Sequence, residues 1–251
     1  MPIREPVTTT AIVTGASRGF GRAVAISLVQ SGFQVVGVAR DRSKLDEVKT
    51  QLGERFTAVI ADAADPVVAG QLLDAYRPQT LVLNAGATPL SRPIQQQTWQ
   101  SFSRNWDVDV QQVFHWTREA LLAPLAPGST VIAFSSGAAI HGSPISGGYA
   151  GAKATIRFIS SYAAEESARA DLGIRFVAVL PGLTPATDLG AVSISAYARR
   201  QGTDVDTFAS SRRPAADPEQ VGQTVLELAT NPTYDQRAYL LGADGNLETL
   251  P

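Results

Sequence analysis

The sequence predicts a doubly wound α/β fold, a parallel sheet with helices on both faces, and three observations carry that expectation. Short β-branched runs alternate with longer stretches of helical periodicity over most of the chain. A glycine-rich turn, Thr14-Gly15-Ala16-Ser17-Arg18-Gly19-Phe20-Gly21, separates the first such run from the first helical stretch. No linker-like segment divides the 251 residues, so 1–251 reads as a single domain of about seven strands.

The first strand is 10–14, and the apolar periodicity of 20–31 follows the glycine turn. A strand at 34–39, a helix at 43–52, a strand at 55–61, a helix at 66–76 and a strand at 80–83 continue the alternation. Beyond Gly86 the pattern lengthens into two helical stretches, 94–102 and 105–122, before a strand at 129–134, a long helix at 148–171 and a strand at 174–180. Right-handed crossovers between parallel strands lay such helices over both faces of the sheet. From 183 to 214 the periodicity weakens and Gly, Thr, Ser and Arg intrude, which predicts an irregular cover over a substrate pocket. A helix at 218–230 and a short strand at 238–241 complete the chain, and no segment repeats another.

Hydrophobic residues make up 44% of the chain and charged residues 18%, enough apolar material for a large core. The formal charge of -2 offers no broad field to attract nucleic acid or an anionic membrane, so neither is an expected partner. The absence of cysteine excludes disulfides, zinc–thiolate sites and thiol nucleophiles. Residues 1–15 lack a charged-then-apolar leader, and no apolar run approaches the about 18 residues of a membrane helix; a cytoplasmic protein is expected. No His and carboxylate pairing has metal-ligand spacing, so no metal site is expected.

Two clusters carry chemistry. The glycine turn lies between a strand and a helix, where the helix N-terminus offers free N–H groups to a dinucleotide's phosphates. Its Gly-x3-Gly-x-Gly spacing differs from the familiar G-x-G-x-x-G, and by itself such a turn also serves purely structural ends. Tyr149 and Lys153 stand four apart at the start of the long helix, hence on one face, and Ser136 lies thirteen positions upstream at the end of a strand. Each is ordinary in isolation: a surface helix pair and a strand-end serine. Together they suit proton transfer at a carbonyl oxygen, because an unperturbed phenol with a pKa of about 10 needs a neighbouring cation to ionise near neutrality.

In order along the chain, the glycine turn, Asn84-Ala85-Gly86, Ser136, Tyr149-x3-Lys153 and Pro181-Gly182 resemble the short-chain dehydrogenase/reductase family over roughly its first three-quarters. The resemblance implies a Rossmann fold and hydride transfer between nicotinamide and a ketone, aldehyde or alcohol carbon. It implies Tyr149 as proton donor or acceptor, Lys153 as its cation and a ribose ligand, and Ser136 as the holder of the substrate oxygen. It also assigns Asp62, with Ala63, to the adenine end and Pro181, Gly182 and Thr184 to the nicotinamide end. Arg18 and Arg40 stand where NADP(H)-preferring members carry basic residues, and two guanidiniums can grip a 2′-phosphate that a carboxylate would repel. Asp41 is the alternative ribose ligand, which would favour NAD(H), and the Arg40-Asp41-Arg42 turn also reads as simply solvated.

The match has departures. Leu83 replaces the usual Asn before Asn84, and in Val108-Asp109-Val110-Gln111-Gln112-Val113-Phe114 the residues Asp109 and Gln112 replace the family's catalytic Asn and its Gly. The family's Asn carbonyl holds a relay water beside the lysine. A carboxylate can accept from that water, but if ionised it opposes a second anion at Tyr149; Asp109 also reads as a helix brace, or as the mark of a regulatory dinucleotide-binding protein that has lost catalysis.

Ala138, His141 and Leu183 are expected at the substrate, with Ile140 hinting at an apolar ligand. Arg199, Arg200, Arg212 and Arg213 can reach an anionic group or form a solvated basic face. His115 reads as a packing or subunit-contact residue. The resemblance implies a dimer or tetramer through the helices around Phe114 and Phe158.

Overall fold

The computed structural model describes residues 9–212 and 214–250; the first eight residues of the stretch read as lacking a leader, and the expectation for Arg213, lie outside them. Three parallel crossovers come first: β1 (Thr10–Thr14), α1 (Gly19–Gln30), β2 (Gln34–Ala39), α2 (Arg42–Leu52), β3 (Phe56–Ile60), α3 (Pro66–Tyr76) and β4 (Thr80–Leu83). The second half adds α4 (Trp99–Asn105), α5 (Gln111–Leu122), β5 (Thr130–Phe134), the short α6 (Ala138–His141), the long α7 (Gly147–Arg169) and β6 (Arg175–Pro181). The chain ends with α8 (Asp188–Gln201), α9 (Val205–Ser210), α10 (Pro218–Thr230), β7 (Ala238–Leu241) and β8 (Leu247–Thr249).

These strands form one sheet in the order β3-β2-β1-β4-β5-β6-β7-β8. Strands β1 to β7 pair in parallel, and β8 returns antiparallel to β7. The eighth strand, against seven expected, forms because Gly242 to Gly245 make a tight turn in which the Gly242 N–H donates to Asn246 O at 2.9 Å. The strand order reverses between β1 and β4, and in such sheets a ligand crevice opens beyond the carboxyl ends of those strands.

Both sheet faces are apolar, as the β-branched strand runs require of a sheet covered on two sides. On one face, Val24, Leu28, Val221 and Val225 from α1 and α10 cover Val13, Ile132 and Val177. On the other, Leu73, Trp116 and Ile156 from α3, α5 and α7 cover Ile12, Leu81 and Val131.

Two segments differ from the sequence expectation. The region 183–214 is substantially helical, because Thr187 Oγ1 accepts from Gly190 N at 3.1 Å and Asp204 Oδ1 from Thr207 N at 2.8 Å, capping α8 and α9. Gly202, with φ of 68°, ends α8 in the left-handed conformation. In place of separate helices at 94–102 and 105–122, a capping box between Thr98 and Ser101 starts α4, which runs into α5 through a π-helical turn at Trp106–Val110. Such turns insert one extra residue per turn and re-aim the side chains they carry. Asp109 is one of these.

Candidate active site

The carboxyl ends of β1 to β6 open onto a cleft of about 1800 Å³. Arg40, Asp62 and Ala63 line the end that follows β2 and β3; Ser136, Tyr149, Lys153, Pro181, Gly182, Leu183 and Thr184 line the end that follows β5 and β6. Gly15, Ser17, Arg18, Gly19, Phe20, Asn84, Ala85 and Gly86 line it between them, and Ala138, His141 and Asp109 also face it. Gly21 alone among the expected residues lies behind the wall, because its Cα abuts the turn: a Cβ there would sit 2.2 Å from Gly15 O.

The glycine turn is shaped for close approach by a ligand backbone. Gly15 has φ of 70°, where L side chains are strained, and a Cβ on it would meet Asn84 Nδ2 at 2.8 Å. Its N–H donates to Val38 O at 2.8 Å. The first turn of α1 carries no acidic residue and Arg18 makes no side-chain cap, so the helix N-terminus keeps its partial positive charge for an anion. These features fit the diphosphate of a dinucleotide.

Thr14 ties this turn to the Asn84-Ala85-Gly86 segment. Its Oγ1 accepts from Asn84 N at 2.9 Å and Ala85 N at 3.1 Å, and donates to Gln112 Oε1 at 2.9 Å. Gln112 Nε2 in turn donates to Ala85 O at 2.9 Å. Gln112, which stands where the family has Gly, is therefore a buried brace between three segments.

The end of the cleft that follows β5 and β6 is built around a buried ion pair. Lys153 Nζ lies 3.1 Å from Asp109 Oδ2, with the two side chains 7% and 1% exposed. Nζ also donates to Phe134 O at 3.0 Å and sits 5.5 Å from the centre of the Tyr149 ring. Ser135 Oγ donates to Lys153 O at 2.7 Å, pinning this turn of α7 against the end of β5. Asp109 Oδ1 accepts from Ala87 N at 2.8 Å and from Asn105 Nδ2 at 3.2 Å. Gly86 makes room, since a Cβ there would lie 2.8 Å from Asp109 Oδ2. Burial works against the charge on Lys153, but the Asp109 carboxylate, with a smaller contribution from Tyr149, outweighs it and holds the ammonium pKa above its usual value.

The other polar residues are partly committed. Ser136 Oγ accepts from Ala138 N at 3.2 Å, in the turn that opens α6. Arg18 Nη1 lies 2.5 Å from Asp188 Oδ2 of α8, and Arg40 Nη1 lies 3.6 Å from Asp62 Oδ2. Asp41 caps α2 by accepting from Lys44 N at 3.2 Å, so its carboxylate has a structural task of its own.

Comparison with known proteins agrees with this geometry. Residues 9–197 match the family described as short chain dehydrogenase. The chain belongs to that family. A 3-oxoacyl-[acyl-carrier-protein] reductase of Synechocystis is 32% identical over 251 residues, covering 95% of this chain and 94% of the relative. A probable NADP-dependent dehydrogenase of Haemophilus influenzae is 29% identical over 236 residues, 90% of each chain. Among solved structures, a short-chain dehydrogenase/reductase from Brucella melitensis superposes with a TM-score of 0.81 at 21% identity, covering 96% of this chain and 97% of that one, a likeness of fold.

This short-chain dehydrogenase is thus an oxidoreductase whose expected site residues converge on one cleft. The Asp109 carboxylate meets the Lys153 ammonium directly, because the π-helical turn brings its side chain inward onto Ala87 and Asn105. Sequence reasoning passed over Asn105 and Ser135. Asn105 is 1% exposed and donates to Ala87 O at 2.7 Å; its place four residues before Asp109 carried no motif to mark it. Among the described residues, no helix is long and apolar enough to cross a membrane.

Proposed function

We propose that the protein reduces a ketone or aldehyde with NADPH, or oxidises the corresponding alcohol with NADP+, using Tyr149, Lys153 and Ser136. When bound, the nicotinamide dinucleotide supplies or takes up the hydride. Ser136 holds the substrate oxygen, and the Tyr149 hydroxyl donates a proton to that oxygen as alkoxide charge develops there, or accepts one in the reverse direction. Lys153 lends the phenol its positive charge, and Asp109 is a positioning residue that fixes the lysine. The observation that carries the reading is the Lys153 ammonium 5.5 Å from the Tyr149 ring centre, both facing one cleft.

Preference for NADP(H) is supported by Arg18 and Arg40 facing the cleft; Asp41 lines it too, but its Oδ1 accepts from Lys44 N at the start of α2 and its Oδ2 lies 3.7 Å from Lys44 Nζ. The name of the Haemophilus relative points the same way. Residues 183–214, through α8 and α9, form the substrate cover in this reading. The exposed Phe114, Phe158 and Tyr162 supply an apolar face suited to a homodimer or homotetramer.

The test is NADPH oxidation against a panel of ketones and aldehydes. Tyr149→Phe should lower turnover by about 10²- to 10⁴-fold, the usual worth of a positioned acid, while NADPH still binds. Turnover unaffected by that substitution would refute the assignment.

A further inference from the structure

We infer that the substrate carries an anionic group and that Arg212, in the cover, receives it; this rests on the proposed carbonyl chemistry and names its substrate class. Three arginines of the cover fall among the described residues, and Arg212 is the one that lines the cleft. Arg199 Nη1 instead turns back along α8 to donate to Ser195 Oγ at 3.2 Å.

Arg212 is held in place by an aromatic stack. Its guanidinium carbon lies 5.5 Å from the centre of the Phe208 ring. Phe208 is 2% exposed and stacks on Tyr197 at 5.7 Å with an interplanar angle of 2°. Leu183, which directly follows Pro181-Gly182, packs against the same cluster.

The stack is anchored to the catalytic helix. The Tyr197 hydroxyl lies 2.5 Å from Ser143 Oγ, and Ser143 Oγ accepts from Ser146 N at 3.0 Å. Ser146 is the residue that precedes α7, three positions before Tyr149. A chain of contacts therefore runs from Arg212 to the backbone that carries the proposed proton donor.

The chemistry of this placement favours an anion. A guanidinium resting on a ring face keeps its edge N–H groups free for two parallel hydrogen bonds to carboxylate or phosphate oxygens. Among the described residues, no carboxylate forms an ion pair with Arg212, whereas Asp109 and Asp188, the carboxylates nearest in role, already hold Lys153 and Arg18. A neutral substrate would leave this cation unused at the mouth of the site. An oxo acid, or an oxo compound bearing a phosphate, would place its anion there and its carbonyl further in.

The experiment compares matched pairs with NADPH: oxo acids against their methyl esters over two to four carbons between the groups, and a phosphorylated ketone against its dephosphorylated form. The wild type should prefer the anionic member in one pair, which identifies the source. Arg212→Gln should lower kcat/KM for that member about ten- to a hundredfold, chiefly through KM, and leave the neutral member unchanged. Arg212→Lys should recover part of the loss. Titration of the NADPH-loaded protein with the anions gives the same comparison by binding alone. Equal treatment of both members in turnover and in binding, or an Arg212→Gln effect shared by the neutral compounds, overturns the inference. Persisting turnover of the neutral compounds would then leave the oxidoreductase reading standing.

Discussion

Asp109 grips Lys153 directly, Oδ2 to Nζ at 3.1 Å, and the carboxylate has almost no exposure to solvent. The cation beside the Tyr149 ring therefore also has a carboxylate within hydrogen-bond reach. An ammonium shared with a carboxylate attracts a second anion less strongly than a free one.

Removing that negative charge while keeping the side chain's shape tests the balance. Asp109→Asn should lower the apparent pKa of the basic group in alcohol oxidation by about one unit, because the unmasked ammonium then favours phenolate. The pH dependence of kcat/KM for oxidation reads it. A value that stays put or rises would show that Asp109 does not act on the phenol through Lys153.

The same pair governs stability. Deleting one partner of a buried ion pair strands the other charge, so Asp109→Leu and Lys153→Met should each cost about 3–5 kcal/mol of unfolding free energy. The double variant Asp109→Leu/Lys153→Met removes both charges and should recover most of that loss, since apolar replacement of a buried pair is often neutral. Urea unfolding of the four proteins measures the cycle. Turnover should stay absent in the double variant although its fold returns.

The raised pKa of Lys153 also sets a pH window. Its ordinary unfolded value is about 10.4, and the folded value lies above that. The stabilisation it contributes is complete below the unfolded value and is lost as pH rises through the folded one. The wild-type denaturation midpoint should therefore fall above about pH 10.4 by more than that of the double variant. Parallel decline of the two would place the alkaline sensitivity elsewhere, for instance in the other phenols.

Much of this was legible in the sequence. Strand runs such as 10–14 and 34–39 are β-branched and bounded by glycine turns, and the structure places them there. The spacing of Ser136, Tyr149 and Lys153 follows from a strand end and one helical face, both local properties. What escaped were features decided by tertiary contact. The inward aim of Asp109 depends on a π-helical turn packed beneath Ala87, and α8 and α9 depend on caps at Thr187 and Asp204 within a stretch whose apolar period is weak. The Arg18–Asp188 pair joins residues 170 apart and leaves no local trace.

That last pair bears on the choice of dinucleotide. In the sheet β4 and β5 separate β1 from β6, about 14 Å at the usual strand spacing, so Arg18 and Asp188 meet across the mouth of the cleft. A 2′-phosphate must draw Arg18 away from Asp188 and Arg40 away from Asp62. Both pairs are exposed, so each competes by no more than about 1 kcal/mol, whereas a charged hydrogen-bonded contact to phosphate returns about 1.5–3 kcal/mol. Arg40→Ala and Arg18→Ala should each weaken NADPH by roughly ten- to a hundredfold and change NADH little. Asp188→Asn frees Arg18 and should tighten NADPH by up to about fivefold, again sparing NADH. Fluorescence titration of both nucleotides reads all three. An equal loss of NADH in the arginine variants would mean that these side chains serve the diphosphate, and the discrimination would then have to lie with other residues after β2.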